Sequence, residues 1–165
     1  MKISRKALFY AFFVLLVIAG IFFMVKATKP EEAPVIHHST GSYDLSYEDV
    51  NAFVYATNEP TALFFYSSDD PDSQLVIKNM LDIVKVENNI TIYPKLYYVD
   101  MADYSGDHLD DFILNNWSFH HYPAFLIMQI KDSKTSVSDV LEWVADSPYS
   151  INDVRDWLAE HNIIP

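Results

Sequence analysis

The spacing of hydrophobic positions changes several times along the chain, and each change marks an element. The first pattern is a solid block: Ala7 to Val25 is a run of 19 uncharged, mostly apolar residues. As a helix this run measures about 28 Å, close to the roughly 30 Å of a bilayer's hydrocarbon core. Thr28 to Ser42 then holds two prolines, two glutamates and little apolar content, which reads as a linker. From residue 43 onward helical and extended patterns alternate. Val50, Phe53 and Val54 share one helical face, with Ser46 as the expected N-cap and Glu59-Pro60 as the stop. Thr61–Tyr66 is a near-continuous apolar run, the pattern of a strand buried on both faces. Val76, Ile77, Met80, Leu81, Ile83 and Val84 recur at helical spacing from Ser73 to about Val86. Leu96–Val99 reads as a second buried strand, and Leu109, Phe112 and Ile113 as a short helix starting near Asp107. Ala124–Ile130 is a third apolar strand, followed by a turn at Lys131–Lys134. Residues 137–145 read as a fourth strand, with a helical alternative around Leu141-Glu142-Trp143. Ser150 caps a last helix whose Ile151, Val154, Trp157 and Leu158 face inward.

Helices alternating with strands predict an α/β domain over 43–165. The first two strands are joined by a whole helix and so should be parallel. The last two are joined by a tight turn and should be antiparallel. The expectation is a mixed four-stranded sheet flanked by helices. There is no internal repeat and no low-complexity stretch.

Charge sharpens this division. Residues 1–29 hold five Lys or Arg and no acid, whereas 30–165 hold six basic and 23 acidic residues, a net of −17. A body so acidic is a poor partner for nucleic acid and is repelled by anionic headgroups. The expected membrane contact is therefore residues 7–25. Lys2, Arg5 and Lys6 precede this run, which favours a cytoplasmic N-terminus and an extracytoplasmic body in a single-pass cell-membrane protein. The alternative is a cleaved signal peptide. The run is longer than the usual apolar core of such a peptide, and Val25-Lys26-Ala27 makes a poor cleavage site. An uncleaved signal-anchor over 1–27 is the expectation. The sequence contains no cysteine. That removes disulfides, thiolate nucleophiles, thiolate metal sites and a lipidated-cysteine anchor.

Three stretches together resemble the thioredoxin-like family. "TALFFYSSDDPDSQLVIKNMLDIV" (61–84) resembles its core strand, active-site loop and long second helix. "HHYPAFLIM" (120–128) resembles its cis-proline loop and the strand after it, with Pro123 as the proline. "SINDVRDWLAEHNI" (150–163) resembles its closing helix. The resemblance spans about 43–163. It implies a three-layer fold, a cis Tyr122–Pro123 bond, and a backbone edge near His121 and Tyr122 that pairs with extended polypeptide. It also places Asp70 and Ser73 where the family carries its two cysteines. Neither side chain performs thiol–disulfide exchange, so the family's oxidoreductase activity is not expected.

The loop has a reading of its own. Asp70 can cap the following helix, Pro71 suits the first helical position, and Asp72 sits favourably beside the helix dipole. Other chemistries can be set beside it. Asp69, Asp70 and Asp72 lack the spacing of an EF-hand. The resemblance brings His121 and Tyr122 toward Asp70 and Ser73, which allows a Ser–His–Asp arrangement or a metal held by His120, His121 and an aspartate. His37-His38 is half of a metal site at most. Tyr43, Tyr47, Tyr104 and Tyr149 fall in loops or at helix starts beside acids, where exposed tyrosines favour protein contacts. Asn89-Ile90-Thr91 and Asn116-Trp117-Ser118 match the glycosylation pattern.

The expected function is binding without a cofactor or metal. The chain reads as an anchored, chaperone-like or accessory subunit that holds another exported or membrane protein, a basic one being favoured by charge. The expected binding residues are His121, Tyr122, Pro123, Asp70 and Ser73. The alternative is an enzyme or metal-binding protein using Asp70, Ser73, His121 and Tyr122.

Overall fold

The computed structural model describes residues 44–89 and 95–165. The expected anchor and linker, His37-His38, Tyr43 and most of Asn89-Ile90-Thr91 lie outside them. Among the described residues no helix is long and apolar enough to cross a membrane.

Five strands form one mixed sheet. They are β1 (Asp44–Ser46), β2 (Thr61–Tyr66), β3 (Leu96–Asp100), β4 (Ala124–Lys131) and β5 (Lys134–Glu142), in the order β1-β3-β2-β4-β5. β1 and β2 run parallel to β3, while β4 runs antiparallel to β2 and β5 antiparallel to β4. The expected parallel and antiparallel pairs are both present. The helices are α1 (Val50–Thr57), α2 (Pro71–Val76, continuing through Ile77–Leu81 and Asp82–Glu87), α3 (Leu109–Trp117) and α4 (Ile151–Glu160). Element order, strand order and pairing agree with a thioredoxin-like α/β fold.

The apolar runs in β2, β3 and β4 arise because both faces of the sheet are covered. Along β2, Ala62 and Phe64 face the core under α2 and α4, whereas Leu63 and Phe65 face the core under α1 and α3. Along β4 the same alternation sends Phe125 and Ile127 to the first core and Leu126 and Met128 to the second.

Four details differ from expectation. The sheet has a fifth strand, β1, whose three residues are too few to show a period. It removes Ser46 from the start of α1, which begins behind Asp49 with no side-chain cap. α2, which starts at Pro71 behind Asp70 as the capping reading of that loop has it, contains an unexpected π-helical turn at Ile77–Leu81. An extra residue in a turn rotates the remainder of the helix by about 100°, so Ile83 ends up 40% exposed while Leu81 and Val84 are fully buried. β5 occupies 134–142, not 137–145. Its first three residues, Lys134-Thr135-Ser136, are polar and exposed, as suits an edge strand, which needs no alternation. Tyr149 is buried rather than exposed, packed edge-on against Trp143 at 5.1 Å. It precedes the N-cap Ser150 and shares a core with Val154 four positions inside the helix, a hydrophobic staple.

Candidate functional site

The strand directions gather several loops at one end of the sheet. The carboxyl ends of β1, β2 and β3, the amino end of β4 and the carboxyl end of β5 all lie there: Phe65 pairs with Val99 and Ala124, and Ala124 with Glu142. The expected site residues fall at this end.

Asp70 is the N-cap of α2, with extended backbone at φ −93° and ψ 125°. One of its carboxylate oxygens accepts from the Ser73 N–H and from the Ser73 hydroxyl, each at 2.7 Å. The Ser73 hydroxyl in turn accepts from the Ser67 N–H at 3.1 Å, and Ser73 is fully buried. Pro71 takes the first helical position and Asp72 the first turn. The loop is tied to β3 through Asp100, which accepts from Ser68 N–H at 3.0 Å and Ala102 N–H at 2.9 Å. Asp70 and Ser73 therefore form a closed capping unit with both hydroxyl roles of Ser73 in use.

Across from it stands the loop before β4, where the Tyr122–Pro123 bond is cis, as expected. Tyr122 is half-buried, and its hydroxyl pKa is raised. Burial is the main cause; the carboxylate of Asp70 adds to it, the Ser67 hydroxyl opposes it, and Asp110 and Asp100 add smaller contributions. Carboxylates at the start of α2, on α3 and on β3 thus all disfavour ionisation of this phenol. The Tyr122 backbone N–H and C=O have no hydrogen-bond partner among the described residues. Three neighbouring backbone groups are engaged. Pro123 C=O accepts from Trp143 N–H at 3.1 Å and from the Tyr149 hydroxyl at 3.3 Å. The N–H groups of His120 and His121 both donate to Glu142 Oε1.

The structure brings Asp70, Ser73, Tyr122 and Pro123 to one end and leaves the His121 side chain outside the capping unit. His121 is exposed, and among the described residues its ring makes no hydrogen bond to Asp70 or Ser73. Ser73, His121 and Asp70 therefore do not form a Ser–His–Asp relay. Among the described residues no group of three or more His, Asp or Glu is placed to hold a metal ion. Asn116 Nδ2 donates to Phe112 C=O within α3, so that amide is engaged by the helix.

Two residues at this end carry no sequence signal of a site: Glu142, and Trp143, whose indole N–H donates to Asp72 at 3.0 Å. Both depend on the β4–β5 register. The charges are also sorted. The loops after β1, β2 and β3 and before β4 contain no Lys or Arg, but carry Glu48, Asp69, Asp70, Asp103 and Asp107 among other acids. The described basic residues lie on α2, before β3, at the β4–β5 turn and on α4. A cleft of about 350 Å³ lies at the opposite end, lined by Thr57, Thr61, Lys95, Tyr97 and His161 among others. It contains none of the expected site residues.

No protein-family model matches the sequence, and no curated protein matches it. Among solved structures, Trichomonas vaginalis thioredoxin is similar with a TM-score of 0.43 and 9% sequence identity, over 78% of this chain and 98% of that one. At that distance the likeness carries no functional argument, and the fold rests on the strand order and pairing described above.

Proposed function

We propose that this chain is a redox-inactive, membrane-anchored thioredoxin-like protein. It holds another exported or membrane protein on the extracytoplasmic side, as a chaperone-like or accessory subunit. One observation carries the reading: among the described residues nothing pairs with the backbone N–H and C=O of Tyr122, at the carboxylate-rich end of the sheet. An extended segment adds to such an edge through main-chain hydrogen bonds, with no need of cysteine. The surrounding carboxylates favour a segment bearing Lys or Arg and steer its approach. Burial of Ser73 beneath Asp70 weighs against a nucleophilic role for that hydroxyl.

The test is photo-crosslinking in intact membranes. A crosslinkable residue replaces His121 in one version of the full chain and Ser133, at the opposite end of β4, in the other. Capture of a discrete protein from His121 and not from Ser133, identified by mass spectrometry, is the expected result. Equal capture from both positions, or capture from Ser133 alone, overturns the assignment of the binding edge.

A further inference from the structure

The end of edge strand β5 closes over the loop that precedes β4. Glu142 Oε1 accepts from the His120 N–H at 2.7 Å and from the His121 N–H. Its other oxygen lies 3.6 Å from His120 Nδ1, and the Glu142 side chain is 20% exposed. Successive N–H groups converging on one oxygen make a concave anion site, and here the chain fills that site itself. Glu142 makes no ion pair with Lys or Arg among the described residues. Beyond it, Trp143 N–H and the Tyr149 hydroxyl hold Pro123 C=O. The loop backbone is thus anchored at Pro123 by contacts that do not involve the Glu142 carboxylate.

We propose that Glu142 is a latch: an internal occupant of the loop that competes with an incoming extended chain. With the carboxylate in place, Tyr122 is the one residue of 120–122 whose N–H is open to a partner. When the side chain rotates away, the His120 and His121 N–H groups, which converge on one point, open together to a single carbonyl of the partner beside the Tyr122 edge. The anchor at Pro123 lets this happen without moving β4. The inference rests on the binding function proposed above and assigns its regulation to one side chain.

The experiment uses the full chain in detergent micelles, as wild type, Glu142→Ala and Glu142→Gln. Amide hydrogen exchange reads the latch itself. Exchange at His120 and His121 should accelerate about tenfold or more in Glu142→Ala, with β4 amides unchanged. Glu142→Gln, which keeps an acceptor oxygen, should retain most of the protection. A short fluorescent peptide of alternating lysine and valine reads the competition. Glu142→Ala should bind it several-fold more tightly than wild type, and Glu142→Gln, having lost a charge but kept the acceptor, no more tightly than wild type. Unchanged exchange in Glu142→Ala overturns the latch. Faster exchange with equal peptide affinity overturns the competition. Binding by none of the three proteins overturns the basic-segment reading of the site, and the competition with it.

Discussion

On one face of the sheet, α2 and α4 start behind Asp70 and Ser150. Each of these side chains accepts from the N–H three residues on, and Asp153 returns the bond to Ser150 N–H to complete a capping box. The carboxyl of Asp153 is held below its ordinary pKa by those same Ser150 groups. On the other face, α1 starts behind Asp49 and α3 behind His108, and neither side chain makes a capping bond. His108 even enters its helix with φ at 62°, in the left-handed region that is uncommon for a residue other than glycine. Yet both faces bury aromatic-rich cores, and the second includes Phe65, Trp117 and Phe119, all essentially inaccessible. The uncapped helices are also short, at eight and nine residues, below the length at which a helix is stable alone. Helices on the first face are helped by local chemistry. Those on the second depend on what they bury.

The largest effect should come from removing that burial. Trp117 packs against Phe65 at 4.6 Å and Phe112 at 5.3 Å, and its indole N–H donates to Asn51 at 3.2 Å. Trp117→Ala should cost about 3–5 kcal/mol in denaturant unfolding and release exchange protection across α3. A cost below about 1 kcal/mol would mean that α3 is held by something other than its core contact.

A smaller effect separates the two kinds of helix start. Asp70→Ala removes both bonds from Ser73 and should cost about 0.5–2 kcal/mol. Asp49→Ala, which removes no cap, should stay within about 0.5 kcal/mol of wild type. Equal costs at the two positions, measured by the same unfolding assay, would erase the distinction between the faces.

The same contrast explains how far the sequence can be read. Asp70-Pro71-Asp72 and Ser150 followed by Asp153 are signals contained within a few residues, so both helix starts and the capping role of Asp70 are legible. α3 offers Asp107 as a helix start, but its true start at His108 depends on a left-handed backbone with no sequence pattern behind it. β1 exists only through pairing with β3. Glu142 shows the limit most clearly. The tight turn with Lys131 opposite Lys134 would place residue 141 opposite Ala124, but the strands change register between Ile127 and Met128. That bulge leaves Ser138 out of the ladder and delivers Glu142 to the loop instead. Nothing local in "SVSDVLEW" (136–143) announces it. Resemblance places Tyr122 near Asp70, whereas the loop backbone that carries His121 is set by the Glu142 contact, which no short pattern encodes.

The smallest effect concerns the tryptophan on the capped face, and its rank against Trp117 is the informative part. Trp157 is 6% exposed and packs against Phe125 at 5.4 Å and His161 at 4.6 Å. Unlike Trp117, it buries an indole N–H that has no hydrogen-bond partner among the described residues. A buried donor left unsatisfied costs about 1–3 kcal/mol. Trp157→Phe removes that donor and keeps an aromatic ring, but loses some packing volume. The two terms oppose each other, so unfolding free energy should change by less than about 1 kcal/mol in either direction. Trp117→Phe lacks the compensation, because its indole N–H is satisfied by Asn51. It should destabilise more than Trp157→Phe in the same assay. If Trp157→Phe proves the costlier of the two, the N–H of Trp157 has a partner in solution, and the first face owes more to a specific polar contact than its two helix caps suggest.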